Sequence, residues 1–312
     1  MKQVKKYWRM ISPFNNGQEM PNAIYAVKKL LAFLAIYFSA AVLGEAVIIG
    51  GLMAMGYNPL QGHMPTEGFV GYAVGLFPYY GFIIFILLTV LYCKFVEKRN
   101  LKSMGLQKPI LDYVVGAVLA IILLVVIIGI CCMTGSISYE GMNGNANYGY
   151  LFILFVGFII QSMGEEILCR GFLMPSLLQK VSMPVAIFIS STAFAMPHFT
   201  SMDEMEGLYK VLGIINLYLV SVLFSLLTIY RSNIWAACGL HGVWNFLLYG
   251  VFGLNLSGSE ANVEGVFCFK VEELNILNGG MYGLEAGIVT TVVLGIAVIL
   301  ILRYHSRNKK AG

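Results

Sequence analysis

Residues 148–172 read YGYLFILFVGFIIQSMGEEILCRGF. The first half is apolar enough for the interior of a bilayer, and the second half brings in Glu165, Glu166 and Arg170. Taking an ionised carboxylate out of water costs several kcal/mol even after the protein relaxes around it. Two such groups side by side at the end of an apolar run therefore need a reason. Outward from this stretch the chain stays apolar: 58% of its 312 residues are hydrophobic and only 12% are charged. That is about half the roughly 25% of charged residues usual in soluble domains, and the mean hydropathy is +0.78. A multi-pass integral membrane protein is the class that fits. A polar stretch, Met1 to Val27, precedes the first apolar run, which is not the pattern of a cleavable signal.

A spanning helix needs about 20 mostly apolar residues. Eight candidate spans follow, at about 28–55, 69–92, 112–134, 148–170, 184–199, 209–230, 233–253 and 283–302. With both termini cytoplasmic, 18 of the 20 basic residues fall inside, and only Lys210 and Lys270 fall outside. This satisfies the positive-inside rule. The expected organisation is a cytoplasmic N-terminal segment (1–27), a membrane domain (28–303) and a basic cytoplasmic tail (304–312). Five of the six cysteines lie in or beside apolar runs and Cys268 falls in an expected loop, so they read as small apolar fillers rather than a framework. No basic-aromatic surface for nucleic acid is visible.

Ionisable residues inside a membrane are rare and usually functional. Here they are Glu165, Glu166, Arg170, His198 and His241, with Asn245 beside them. Glu166 and Arg170 are four apart and share a helix face. Glu165 is rotated by about 100° from Glu166, so one carboxylate can be held by the arginine while its neighbour points elsewhere. His241 and Asn245 are also four apart. If residues 165–198 form a helical hairpin turning near Val181–Pro184, Glu165 and His198 each lie about 25 Å from the turn and come level, at 1.5 Å per residue. Each feature also has a plainer reading: the Glu166–Arg170 pair as a structural tie, a membrane histidine as an interhelical hydrogen-bond partner.

A partly desolvated carboxylate can act as a general base towards water. Imidazoles and a carboxamide can position that water and hydrogen-bond an oxyanion. No GxSxG nucleophile elbow and no HExxH occur. Two histidines and a carboxylate (Glu165, His198, His241) are also a recognised zinc ligand set.

EEILCRG (165–171) fits EExxxR, FAMPH (194–198) fits FxxxH, and HGVWN (241–245) fits HxxxN. In order and rough spacing these resemble the three motifs of the CAAX-protease and bacteriocin-processing (CPBP, or Abi) family of intramembrane proteases, over about residues 148–250. The resemblance implies an all-α, eight-helix fold with a catalytic cavity inside the membrane. It implies Glu165 as the base that activates water, His198 assisting, His241 and Asn245 as the oxyanion site, and Glu166 with Arg170 as a supporting pair. It implies Phe194 packed against His198. The family is often labelled metalloprotease, yet a glutamate-activated water without metal suits the same residues and is the favoured expectation. Pro197, directly before His198, departs from the motif and should end or kink the helix there. Cys169 stands where many relatives have an aromatic.

The expected function is an intramembrane endopeptidase that cuts a membrane-associated peptide, in a bacterial cell membrane. The alternative is a scaffold or bacteriocin-immunity protein of the same fold that binds a partner without cutting it. A transporter ranks third, because paired repeats are not visible. Glu45 in the first span has no obvious partner, and His63 and His305 read as solvated. GYAVG (71–75) and GLEAG (283–287) match GxxxG, an ordinary pattern in membrane helices.

Overall fold

The computed structural model describes residues 20–61, 68–107, 109–203, 205, 207–261 and 263–311. Most of the N-terminal segment, His63 and Lys108 lie outside them. The chain is mostly helical: α1 (Asn22–Ala54), α2 (Gly68–Leu91), α3 (Pro109–Met133), α4 (Tyr148–Glu166), α5 (Met174–Leu177), α6 (Met183–Ala195), α7 (Gly207–Arg231), α8 (Trp235–Asn245) and α9 (Ile288–Ala311). Among the described residues, seven helical stretches are long and apolar enough to cross a membrane. The eighth expected span is α8, continued by a π-helical segment (Phe246–Val251). Together they cover residues 235–251, which rise about 25 Å. Every residue of α8 from Ala236 to Asn245 is buried, as befits a helix enclosed by protein rather than lipid.

The apolar spans face outward in stripes. On α3, Leu111, Val114, Val118, Ile121, Ile122 and Val125 are exposed, while Ala120, Leu124, Ile127 and Cys131 are buried. This three-and-four spacing puts one face of the helix in lipid and the other against protein.

Two compact units divide the described residues. The first comprises those up to Gln107 together with Ile160–Ser190; the second comprises Lys108–Ile159 and Ser191–Gly312. In the first, α1 packs on α2, and both contact the chain around α5. The hairpin turn falls at residues 178–182, and Pro184 sits in the first turn of α6, as its fixed φ favours.

In the second unit the tightest packing is α3 on α8. A Cβ on Gly116 would stand 2.0 Å from the Ala236 carbonyl oxygen, and one on Gly239 would stand 2.1 Å from that of Tyr113. Glycine at both positions lets the two backbones touch. At the start of α8, Asp112 of α3 pairs with Arg231 at 2.6 Å and accepts a hydrogen bond from Asn233, whose Oδ1 in turn accepts from the Trp235 N–H at 3.0 Å.

The expectations for Cys268 and His305 are corrected. Cys268 lies not in a loop but in a two-stranded antiparallel sheet, β1 (Ile137–Met142) with β2 (Phe267–Val271), whose register shifts between Tyr139 and Gly141. The helix α9 runs on through the stretch from 304 to Ala311. His305 is not simply solvated, since its ring stacks on Tyr230 at 3.8 Å. Glu45 is exposed on α1.

Candidate active site

The carboxylates belong to the first unit. Glu166 and Arg170 are both fully buried and form an ion pair at 3.0 Å, as their spacing predicts. Glu165 is half-buried, and its Oε1 accepts from the Gln161 side chain at 3.3 Å, one turn earlier on the same helix. The two neighbours therefore have different environments: one neutralised and sealed, the other beside a polar amide. Gly164 makes room for this turn, because a Cβ there would stand 2.9 Å from the Phe82 ring.

Directly after Glu166 the winding changes to a π-helix (Ile167–Leu173). Such wide turns recur at functional sites. Arg99 holds this one in place by donating to the carbonyls of Gly171 (3.1 Å) and Phe172 (3.4 Å) and to the Ser176 hydroxyl (3.0 Å). Arg99 lies 3.5 Å from Glu97, which also pairs with Lys29. Cys169 is buried, and its carbonyl accepts from the Ser190 hydroxyl at 3.1 Å.

The imidazoles belong to the second unit. The α-helix before His198 ends at Ala195 and a 3-10 helix (Met196–Met202) takes over, with Pro197 in its first turn. This is the break that the proline predicts. His198 Nδ1 lies 3.1 Å from the Phe194 carbonyl oxygen. A carbonyl can only accept, so this bond puts the proton on Nδ1 and leaves Nε2 to take up a further hydrogen bond. The Phe194 ring packs 5.2 Å from His198 and 5.7 Å, edge-on, from His241, so this one side chain touches both imidazoles. Phe224 of α7 stacks on His241 at 5.0 Å. His241 and Asn245 are both buried, one turn apart on α8, and the winding changes to π directly after Asn245.

Among the described residues no group of three His, Cys, Asp or Glu side chains is arranged to hold a metal ion.

Residues 147–247 match a family model. It describes Rce1-like proteins, the type II CAAX prenyl endopeptidases. The match covers about a third of the chain and contains all six candidate residues, from Glu165 to Asn245. It agrees with the resemblance read from the three motifs, and with the membrane helices it supports a CAAX-protease-like intramembrane endopeptidase at the level of the family. No curated protein and no solved structure matches the chain.

Sequence reading missed Gln161, Arg99 and Phe224, together with the contact between Trp244 and Glu285 described below. Gln161 was within reach, being one turn before Glu165 at a spacing that lets side chains meet. Arg99 and Phe224 lie 72 and 17 residues from their partners Gly171 and His241, and no local pattern announces such pairs.

Proposed function

We propose that this protein hydrolyses a peptide bond in a membrane-associated peptide by means of a glutamate-activated water. The observation that carries the reading is the turn at 165–170, inside the segment that matches the endopeptidase family. There a buried arginine pairs with the fully buried Glu166, and Glu165 stands next to it, half-buried, with Gln161 donating to its carboxylate.

In the proposed reaction Glu165 takes a proton from water, and the oxygen attacks the scissile carbonyl. His198, with its proton fixed on Nδ1, accepts a hydrogen bond from that water at Nε2. The tetrahedral oxyanion is stabilised by hydrogen bonds from His241 and the Asn245 carboxamide. As the C–N bond breaks, Glu165 returns the proton to the leaving amine. Glu166 and Arg170 keep their turn in place, and no metal enters any step. The substrate class named in the family's description, a prenylated CAAX tail, is the first to try. The proposed setting is a bacterial cell membrane with both termini in the cytoplasm.

The test compares the purified protein with Glu165→Ala and His198→Ala on quenched peptides anchored in vesicles, prenylated and unprenylated, with and without chelator. Cleavage by the wild type should fall by about 10²–10⁴-fold when the general base is removed, and the chelator should change nothing. Loss of cleavage in chelator, restored by zinc, would overturn the metal-free chemistry. If Glu165→Ala and His198→Ala cut as well as the wild type, the assignment of these residues fails. If nothing is cut and both variants keep the cellular phenotype, the protein is a scaffold.

A further inference from the structure

We infer that Glu285 is a positioning residue that sets the direction of His241 and Asn245 by holding α8 through Trp244; the inference rests on the endopeptidase reading above. Sequence alone makes Glu285 the middle of an ordinary small-residue pattern, GLEAG. In the structure it sits in a short 3-10 turn (Leu284–Ala286) just before α9, and its carboxylate is shared between two other segments. Oε1 accepts from the Trp244 indole N–H at 3.0 Å. Oε2 accepts from the Ser257 backbone N–H at 2.6 Å and from the Ser257 hydroxyl at 3.1 Å. The backbone of the turn is held from a third side: Asn216 of α7 donates to the carbonyls of Glu285 (2.9 Å) and Gly287 (3.1 Å).

Trp244 directly precedes Asn245 and lies three residues after His241. At 100° per residue, holding the indole at one point on the circumference fixes how α8 is rolled about its axis, and with it the directions of both neighbours. The start of α8 is fixed separately by Asn233 and Asp112. The Glu285 contact completes the restraint at the end that carries Asn245.

The same turn braces the segment that carries His198. Tyr282, three residues before Glu285, is buried with Met202 of the 3-10 helix and Ala286. Burial, and then the Glu285 charge, push the Tyr282 hydroxyl well above its ordinary pKa. The carboxylate thus holds the helix that carries His241 and Asn245, and the turn around it packs on the segment that carries His198.

A misplacement of about 1 Å at reacting groups can cost about 10²-fold in rate. The test uses the full-length protein in detergent or vesicles with Trp244→Phe, Glu285→Gln, Glu285→Ala and the double variant Trp244→Phe/Glu285→Ala. The expected result is a kcat lowered by about 10- to 100-fold with KM within about twofold. Glu285→Gln, which keeps one acceptor, should lose less than Glu285→Ala. The double variant should be no worse than Glu285→Ala, because both changes break one contact. Unchanged kcat in the single variants, or losses that multiply in the double, would overturn the inference.

Hydrogen exchange supplies a readout that needs no substrate: amides of 235–251 should exchange faster in both Trp244→Phe and Glu285→Ala. Exchange equal to the wild type would also overturn it. Glu165→Ala, assayed in parallel, keeps the two ideas apart. If the wild type cuts nothing, the endopeptidase reading fails, and hydrogen exchange still decides whether Glu285 holds α8.

Discussion

Replacing Arg170 with methionine would leave Glu166 as a carboxylate with no exposed surface and without the guanidinium that now stands 3.0 Å away. Breaking a buried pair by removing one partner costs about 3–5 kcal/mol, whereas replacing both partners with apolar residues of similar volume is often neutral or stabilising. Arg170→Met should therefore lower the ratio of folded to unfolded protein by roughly two to three and a half orders of magnitude, at 1.4 kcal/mol per decade. Glu166→Leu/Arg170→Met should recover most of that loss. The sign reversal is the informative part, because a second substitution that restores stability identifies the unpaired charge as the damage. Cys93, Cys131, Cys169 and Cys238 are free and buried, so a dye that fluoresces on reaction with thiols reports unfolding on heating. The recovered double variant should also cleave more slowly than the wild type, since the turn that carries Glu165 has lost its tie. If Arg170→Met unfolds with the wild type, or the double variant is no more stable than the single, the pair is not the energetic centre of this turn.

Gly239→Ala should destabilise by about 1–3 kcal/mol or more, the cost of overpacking, because the new methyl would meet the Tyr113 carbonyl at 2.1 Å and backbone cannot swing aside; the same dye assay reads it. Phe194→Leu removes the ring that touches both His198 and His241, and should lower kcat more than it lowers thermal stability. Arg99→Met should release the π-helical turn, detected as faster amide exchange across 167–173, since its guanidinium holds the Gly171 and Phe172 carbonyls. At the β1–β2 sheet, hydrogen bonds from Ser138 and then Lys270 hold the Glu272 carboxyl below its ordinary pKa. A depressed folded-state pKa gives stability that is present above the unfolded value and lost as pH falls through the folded one. The protection of the 267–271 amides, taken relative to intrinsic exchange at each pH, should therefore fall on acidification, and Ser138→Ala should weaken that dependence.

The parts legible in the sequence are those that local geometry controls. Glu166 with Arg170 and the break at Pro197 each depend on residues within one helical turn, so local sequence predicted them, while the packing of Phe194 on His198 was implied by the motif resemblance. The spans were legible because bilayer thickness sets the length of the apolar run each helix needs. Hydropathy could not show that α8 is enclosed by protein on all sides, since buried and lipid-facing helices are equally apolar.

The sequence by itself determined the membrane class and the helices, and it named the six candidate residues from Glu165 to Asn245. Tertiary structure alone decided how those residues are held. The π windings after Glu166 and Asn245, the Arg99 clamp, the glycine contact between α3 and α8, and the Glu285–Trp244 bond are all set this way. Trp244 and Glu285 are 41 residues apart and Arg99 and Gly171 are 72 apart. Contacts of that kind depend on which distant segments the packed helices bring together, and a periodicity of 3.6 residues carries no information about them.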